Sequence, residues 1–214
     1  MSSDFGNANT AEPSFVTTTF DKGDSRAADR ALFLGKFLTK GRVISSIVPS
    51  SQSLVRGVLK HVDFSKPATI VELGAGIGPV TERVLERLQP FHRFVAVEND
   101  PDFCEVLRRR FPDTSIIQAD ATRVAKPLAG LGIQKVDYVL SGLPTPSLPH
   151  RAMIRLRQWL REALTPNGLF IQITVVPFVF RRFYGKLFDS VEYKMVWWNM
   201  PPGGVYRCSA PRGH

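Results

Sequence analysis

From residue 68 onward the chain alternates between short apolar runs and longer segments in which apolar residues recur every three or four positions. Ala68 to Leu73, Arg93 to Glu98, Ser115 to Gln118, Val136 to Leu140 and Gly168 to Val175 are short and mostly apolar or β-branched, as buried strands are. Between them, Pro79 to Leu88, Pro101 to Phe111 and Arg151 to Leu164 carry the helical period. The same period in Leu54, Val55, Val58, Leu59 and Val62, after Pro49-Ser50-Ser51, predicts a helix that enters the domain before the first strand. Strands alternating with helices predict an α/β architecture, a mostly parallel sheet with helices on both faces. Two late runs, Ser190 to Trp198 and Val205 to Cys208, flank Pro201-Pro202-Gly203-Gly204 and are expected to pair as an antiparallel hairpin at the sheet edge.

Upstream the pattern is different. Residues 1–24 are Ser, Thr, Asn, Gly and Asp with scattered Phe and no sustained period, which predicts a tail without regular structure. In residues 25–47, Ala28, Ala31, Leu32, Phe33, Phe37 and Leu38 recur at helical spacing, while Arg26, Arg30, Lys36, Lys40 and Arg42 add positive charge. That combination predicts a basic amphipathic helix and linker, suited either to a membrane surface or to packing with its cations in solvent. Residues 48–214 form the expected folded domain.

The 214 residues include 28 Lys and Arg against 19 Asp and Glu, a formal charge of +9. Such a chain is drawn to polyanions, nucleic acid or anionic lipid, and composition does not choose between them. No apolar run approaches the ~20 residues of a membrane-spanning helix, and no secretion signal opens the chain, so a cytoplasmic protein is expected. Cys104 and Cys208 stand far apart without metal-ligand partners at useful spacing, so both are read as structural thiols, with no metal site.

The chemistry concentrates where the strands end. Thr69 to Gly78 reads TIVELGAGIG, an apolar run closed by Glu72 and followed at once by glycines. The next strand-like run ends on Glu98, followed by Asn99, and the third leads into Asp120-Ala121. Glycines let a backbone pass close beneath a ligand at the carboxyl end of a parallel strand, and an acid closing the following strand can accept both hydroxyls of a ribose. Pro79 stands where a dinucleotide fingerprint has its third glycine, and it removes a donor that a pyrophosphate would use. The negative Glu72 suits a cationic ligand better than a phosphate.

This arrangement resembles the first motif of class I S-adenosylmethionine-dependent methyltransferases. The loop after the fourth strand reads Ser141-Gly142-Leu143-Pro144-Thr145-Pro146. Base-methylating relatives, including the ribosomal RNA adenine dimethylases, have Asn-Ile/Leu-Pro-Tyr/Phe there, the asparagine holding the base amine and the ring stacking on the flipped base. This chain keeps Leu-Pro but has Gly142 for the asparagine and Thr145 for the ring.

More specifically, the chain resembles the bacterial phospholipid N-methyltransferases, which convert phosphatidylethanolamine to phosphatidylcholine. The matching segments are Val48-Pro49-Ser50-Ser51, Val71 to Gly78, Val97-Glu98, Ser141 to Pro144, and Trp198-Asn199-Met200-Pro201-Pro202. The resemblance implies a Rossmann-like class I methyltransferase fold, a seven-stranded mostly parallel sheet with one antiparallel edge-region strand. It implies that S-adenosylmethionine is held by Glu72, Gly74, Ala75, Gly76, Gly78, Glu98, Asn99, Asp120 and Ala121, and that Ser141, Gly142, Leu143 and Pro144 shape the path of the methyl group. It places Tyr184, Trp198 and Tyr206 as aromatic faces for the amine, and Arg181, Arg182 and Arg207 as cations for the lipid phosphate. It also assigns Arg30, Phe33, Lys36, Phe37 and Lys40 to an anionic membrane surface. The expected protein is therefore peripheral, on the inner face of the cytoplasmic membrane, with a phospholipid and no nucleic acid as partner. Two alternatives stay open, an RNA adenine N-methyltransferase and a small-molecule amine methyltransferase. No general base stands out for deprotonating the amine, and His150 is expected to be an exposed helix-start residue.

Overall fold

The computed structural model describes residues 52–174, 180–197 and 203–211. The amphipathic segment 25–47, the tail before it and Trp198 lie outside the described residues. Seven strands form one sheet in the order β3-β2-β1-β4-β5-β7-β6. They are β1 (Thr69–Leu73), β2 (Arg93–Glu98), β3 (Ser115–Gln118), β4 (Val136–Ser141), β5 (Leu164–Thr174), β6 (Phe188–Val196) and β7 (Gly203–Pro211). The helices are α1 (Gln52–Leu59), α2 (Pro79–Leu85), α3 (Pro101–Arg110), α4 (Ala125–Gly130), α5 (His150–Ala163) and α6 (Arg181–Gly185).

β1 to β5 pair in parallel, whereas β7 runs antiparallel to both of its neighbours, β5 and β6. The hairpin expected at the edge forms, with its second strand on the inside. Glycine decides that placement: Gly203 lies so close to Leu54 of α1 and to the Thr174 carbonyl of β5 that a Cβ would stand 2.9 to 3.1 Å from them. Several element ends differ from the sequence expectation. α2 stops at Leu85, and the chain passes directly from α5 into β5 at Leu164. Two pieces carried too few periodic residues to be foreseen, α4 with its first-turn Pro127, and the five-residue α6.

The alternating strand pattern divides the core into two layers, one on each face of the sheet. Ile70, Ala96, Leu140 and Ile171 pack with α1, α2 and Leu107 of α3. Val71, Val97, Val139 and Phe170 pack with α5 and with Tyr184, Tyr206 and Cys208. Burial on both faces explains why the central strands are near-continuous apolar runs rather than alternating ones. It also makes the acids that close them conspicuous.

Chain order reverses between β1 and β4, so the switch point lies at their carboxyl ends, where open α/β sheets bind ligands. The loop after β1 turns through three glycines with positive φ, Gly74 (74°), Gly76 (58°) and Gly78 (84°). A Cβ at Gly78 would lie 2.6 Å from the Phe111 ring and 2.8 Å from Leu107, in a backbone region that L-residues avoid. At Gly130 the space is open and φ is ordinary. Gly78→Ala is therefore expected to cost about 2 kcal/mol and lower the melting temperature by roughly 4–8 °C. Gly130→Ala should leave stability equal or slightly raised, and calorimetric scans of the two variants beside the parent check both.

Candidate functional site

β1 delivers Glu72 to the switch point on the face covered by α2, and only 3% of it is exposed. Thr81, in the first turns of α2, donates its hydroxyl to Glu72 Oε2 at 2.6 Å. Burial pushes the carboxyl up to about 8; Thr81 opposes that shift and the neighbouring Glu98 charge adds to it. A buried acid of this kind, with only the neutral donors of Thr81 bonded to it among the described residues, suits a cationic partner. Glu72 lines a small cleft with Gly74, Ala75, Pro79, Ser141 and Gly142, so five of the residues expected at the donor and methyl sites come together there.

Glu98 closes β2 on the other side of the glycine loop. Its Oε2 accepts the Gly76 amide at 2.8 Å, and its Oε1 accepts the amides of Asn99 (2.7 Å) and Asp100 (2.9 Å). Oε1 has both lone pairs engaged while Oε2 keeps one, so the carboxylate can hold the loop and still accept a hydroxyl at Oε2. The Cβ direction at Gly76 meets no atom within 4 Å, leaving open space beside the same carboxylate. Asp120 caps the turn at Ala121–Arg123 by accepting the Thr122 amide at 2.8 Å, and its second oxygen stands 3.9 Å from Arg123 Nε. Capping accounts for its position, and Ala121 behind it is buried.

The loop after β4 is pinned from two directions. The Gly142 amide donates to the Leu73 carbonyl at 2.9 Å, and a Cβ at Gly142 would lie 2.9 Å from the Gly74 carbonyl oxygen. Next, Pro144 (φ −77°, ψ 60°) centres an inverse γ-turn closed by the Thr145 amide on the Leu143 carbonyl at 2.8 Å. From β5, Gln172 Nε2 donates to the same carbonyl at 2.8 Å, and its Oε1 accepts from the Thr145 hydroxyl at 3.3 Å. The Thr145 and Tyr184 hydroxyls are also hydrogen-bonded to each other. Ser141, 1% exposed, accepts the Leu143 amide at 3.3 Å.

Three expected acceptor residues are placed elsewhere. Tyr184 and Tyr206 are 1% and 0% exposed, and their rings pack on each other at 4.8 Å within the core. Neither offers a free face to an amine. Arg207 pairs with Glu192 at 2.9 Å across the β6–β7 hairpin, in register with it and on the α1 side of the sheet. Arg181 and Arg182 are exposed at the start of α6.

Sequence reasoning missed Thr81, Gln172 and Arg110. Arg110 donates to the Ile77 carbonyl and lies 3.3 Å from Glu82, tying α3 to the glycine loop. Of these, only Thr81 had a local signal, standing nine residues beyond Glu72 on the first turns of a helix that returns over β1.

A buried carboxylate, a glycine cradle and a second acid on its rim fit a ligand with an ammonium group at one end and a ribose at the other. Comparison with known proteins agrees. A family model described as ribosomal RNA adenine dimethylase matches residues 37–128. The ornithine lipid N-methyltransferase of Singulisphaera acidiphila is 39% identical over 183 residues, 84% of this chain and 95% of that protein. A probable ribosomal RNA small subunit methyltransferase A of Methanosarcina mazei is 32% identical over 114 residues, 52% of this chain and 38% of that protein. Among solved structures, the O-methyltransferase from Bacillus cereus in complex with SAH shares the fold, with a TM-score of 0.60, 14% identity, and coverage of 90% of this chain and 93% of that one.

The carboxyl of Glu72 ordinarily titrates near 4.5 and here near 8. Between those values the folded chain holds a proton that the unfolded chain has lost, so stability falls as pH rises through that window and levels off above it. Glu72→Gln, which keeps an acceptor for Thr81, should flatten this slope and be more stable than the parent at pH 8 by on the order of 2 kcal/mol. The same variant should bind S-adenosylmethionine at least tenfold more weakly. Denaturation curves at pH 5 and 8, with calorimetric titration of the donor, check both effects.

Proposed function

From the premise that this chain belongs to the S-adenosylmethionine-dependent methyltransferase family that includes the ornithine lipid N-methyltransferase, we propose that it transfers methyl groups to the amine of a membrane aminolipid. The acceptor we favour is phosphatidylethanolamine, methylated stepwise to phosphatidylcholine. A second reading, the amine of an ornithine lipid, is favoured by the 39% identity to a protein of that name.

The observation that carries the lipid reading over RNA is the crowding at Gly142. A base-methylating site needs an asparagine at that position, and here any side chain would press on the Gly74 carbonyl. The position of the stacking ring is taken by Thr145, which is 2% exposed and hydrogen-bonded inward.

When bound, the donor supplies a methyl group activated on a sulfonium. The chain's part is largely positioning, which can be worth many orders of magnitude in rate. Glu72 would hold the donor's ammonium, Glu98 a ribose hydroxyl, and the Asp120–Ala121 turn the adenine. The Leu143–Thr145 turn, braced by Gln172, fixes the wall past which an amine must approach. An amine attacks only without its proton, and no side chain on this wall is placed to remove one, so deprotonation by water before attack is the simplest route.

Supporting a membrane setting are the basic amphipathic pattern of residues 25–47 and Trp197, 73% exposed at the end of β6. No described helix is long and apolar enough to cross a membrane. An anionic membrane surface is thus the proposed partner, with reversible docking on a cytoplasmic face.

The test is methyl transfer from radiolabelled S-adenosylmethionine to vesicles of phosphatidylglycerol containing phosphatidylethanolamine or ornithine lipid, beside total RNA, with Glu98→Ala as blank. Label is expected in the lipid fraction and at least a hundredfold less with Glu98→Ala. Label in the ornithine lipid alone would select the second reading, and label in RNA but not lipid would overturn both.

A further inference from the structure

On the sheet face that carries α1 and α2, beside the donor cleft, these helices enclose a cavity of about 170 Å³. Its apolar wall is Val55 and Leu59 of α1, both buried. Its polar lining is Gln52 and Arg56 of α1, Arg83 of α2, and Glu86 and Arg87 just beyond α2, with Glu86 as the one acid among these residues. Glu86 is already engaged, since Arg83 Nη1 lies 2.6 and 2.8 Å from its two oxygens. Among the described residues Arg56 meets a neutral partner, Ser53 Oγ at 3.2 Å. Arg87 lies over the Phe64 ring at 6.0 Å. That ring meets His92, which in turn packs on the 47% exposed Phe91. Among the described residues, then, the cavity is lined by two arginines with no acidic partner and by an apolar wall, with an exposed phenyl ring reached through Phe64 and His92.

Guanidinium forks match the oxygens of a phosphate, and a cavity of this volume has room for one with its waters. Three arginines line one cavity instead of being strung along a track, which suits a single phosphate group better than a polynucleotide backbone. We propose that this cavity is an anion site separate from the donor cleft, and that it takes the headgroup phosphate of an anionic phospholipid. The lipid source rests on the aminolipid reading above; the affinity for phosphate does not. Pro79 and Val80 line the donor cleft, and Arg83 follows one helical turn later on the same face of the sheet. A lipid held by Arg56 and Arg87 would set the α1–α2 side of the protein against the bilayer, with the donor cleft alongside.

The test compares the full chain with Arg56→Gln/Arg87→Gln and with Arg151→Gln/Arg161→Gln. The second variant removes the same charge from exposed positions of α5, on the opposite face. Each is measured for sedimentation with vesicles of phosphatidylglycerol and phosphatidylcholine, for thermal protection by inorganic phosphate, and for binding of S-adenosylhomocysteine as a check of folding. The first variant should bind vesicles roughly 20-fold more weakly and lose phosphate protection. The second should change binding far less, and all three chains should bind S-adenosylhomocysteine alike. Equal losses in both variants would reduce the effect to net charge and overturn the site. Lost phosphate protection with unchanged vesicle binding would overturn the lipid source, and phosphate protection unchanged in the first variant would overturn the whole proposal. Vesicle binding needs no methyl transfer, so failure of the aminolipid reading shows separately, as absent label with binding intact.

Discussion

Two strand ends meet at the centre of this fold with no side chain between them. Gly74 and Gly142 follow β1 and β4, and the backbones approach so closely that a Cβ on Gly142 would stand 2.9 Å from the Gly74 carbonyl oxygen. Much of the site depends on that contact. It lets the Gly142 amide reach the Leu73 carbonyl, so the two loops that form the cleft are extensions of one hydrogen-bonded ladder. It turns the β1 loop toward Glu98, which clamps it through Gly76. It also leaves Glu72 buried in a small cleft, where burial from solvent disfavours its charged form until a cation arrives.

The same contact bears on which acceptor the cleft receives. A loop that held a base by an asparagine would need room at residue 142, and a loop that stacked on a base would need an outward ring at residue 145. Here the first position is filled by backbone and the second turns into the core, where Gln172 and Tyr184 take its hydroxyl. These are mutually consistent replacements. Gln172 braces the Leu143 carbonyl only because Thr145 is small and polar enough to share its amide. The loop's polar groups are satisfied by contacts of their own, which argues for an intact acceptor wall over a decayed site.

The features legible in the sequence were those whose signal is local. An acid that ends an apolar run is conspicuous wherever the run is buried on both faces, so Glu72 and Glu98 stood out, and the glycines between them announced a turn. Gln172 gave no such signal, because its partners lie 27 and 29 residues away and its pattern is that of any polar residue near a strand end. Arg110 was hidden for the same reason, since its hold on the Ile77 carbonyl spans 33 residues. Tyr184, Tyr206 and Arg207 were misplaced because their surroundings depend on hairpin register. Once Tyr206 stands opposite Tyr193 and Gln172, alternation sends it into the core and sends Arg207 to the other face, opposite Glu192.

Charge shows most plainly where composition stops and geometry takes over. A formal charge of +9 is equally compatible with RNA and with anionic lipid, because both attract cations over a Debye length without regard to shape. The sheet divides that charge between its faces. The arginines of α5 are spread along its length, where Arg155 is half-buried and drawn to Thr122 while Arg151 and Arg161 face solvent. Those of α1 and α2 line one cavity with buried aliphatic residues. A uniformly basic surface needs no such arrangement, since a dispersed charge binds a polyanion just as well. Guanidinium groups gathered over an apolar wall gain from a ligand that brings a phosphate and an apolar body together, and a phospholipid at the edge of a bilayer is such a ligand.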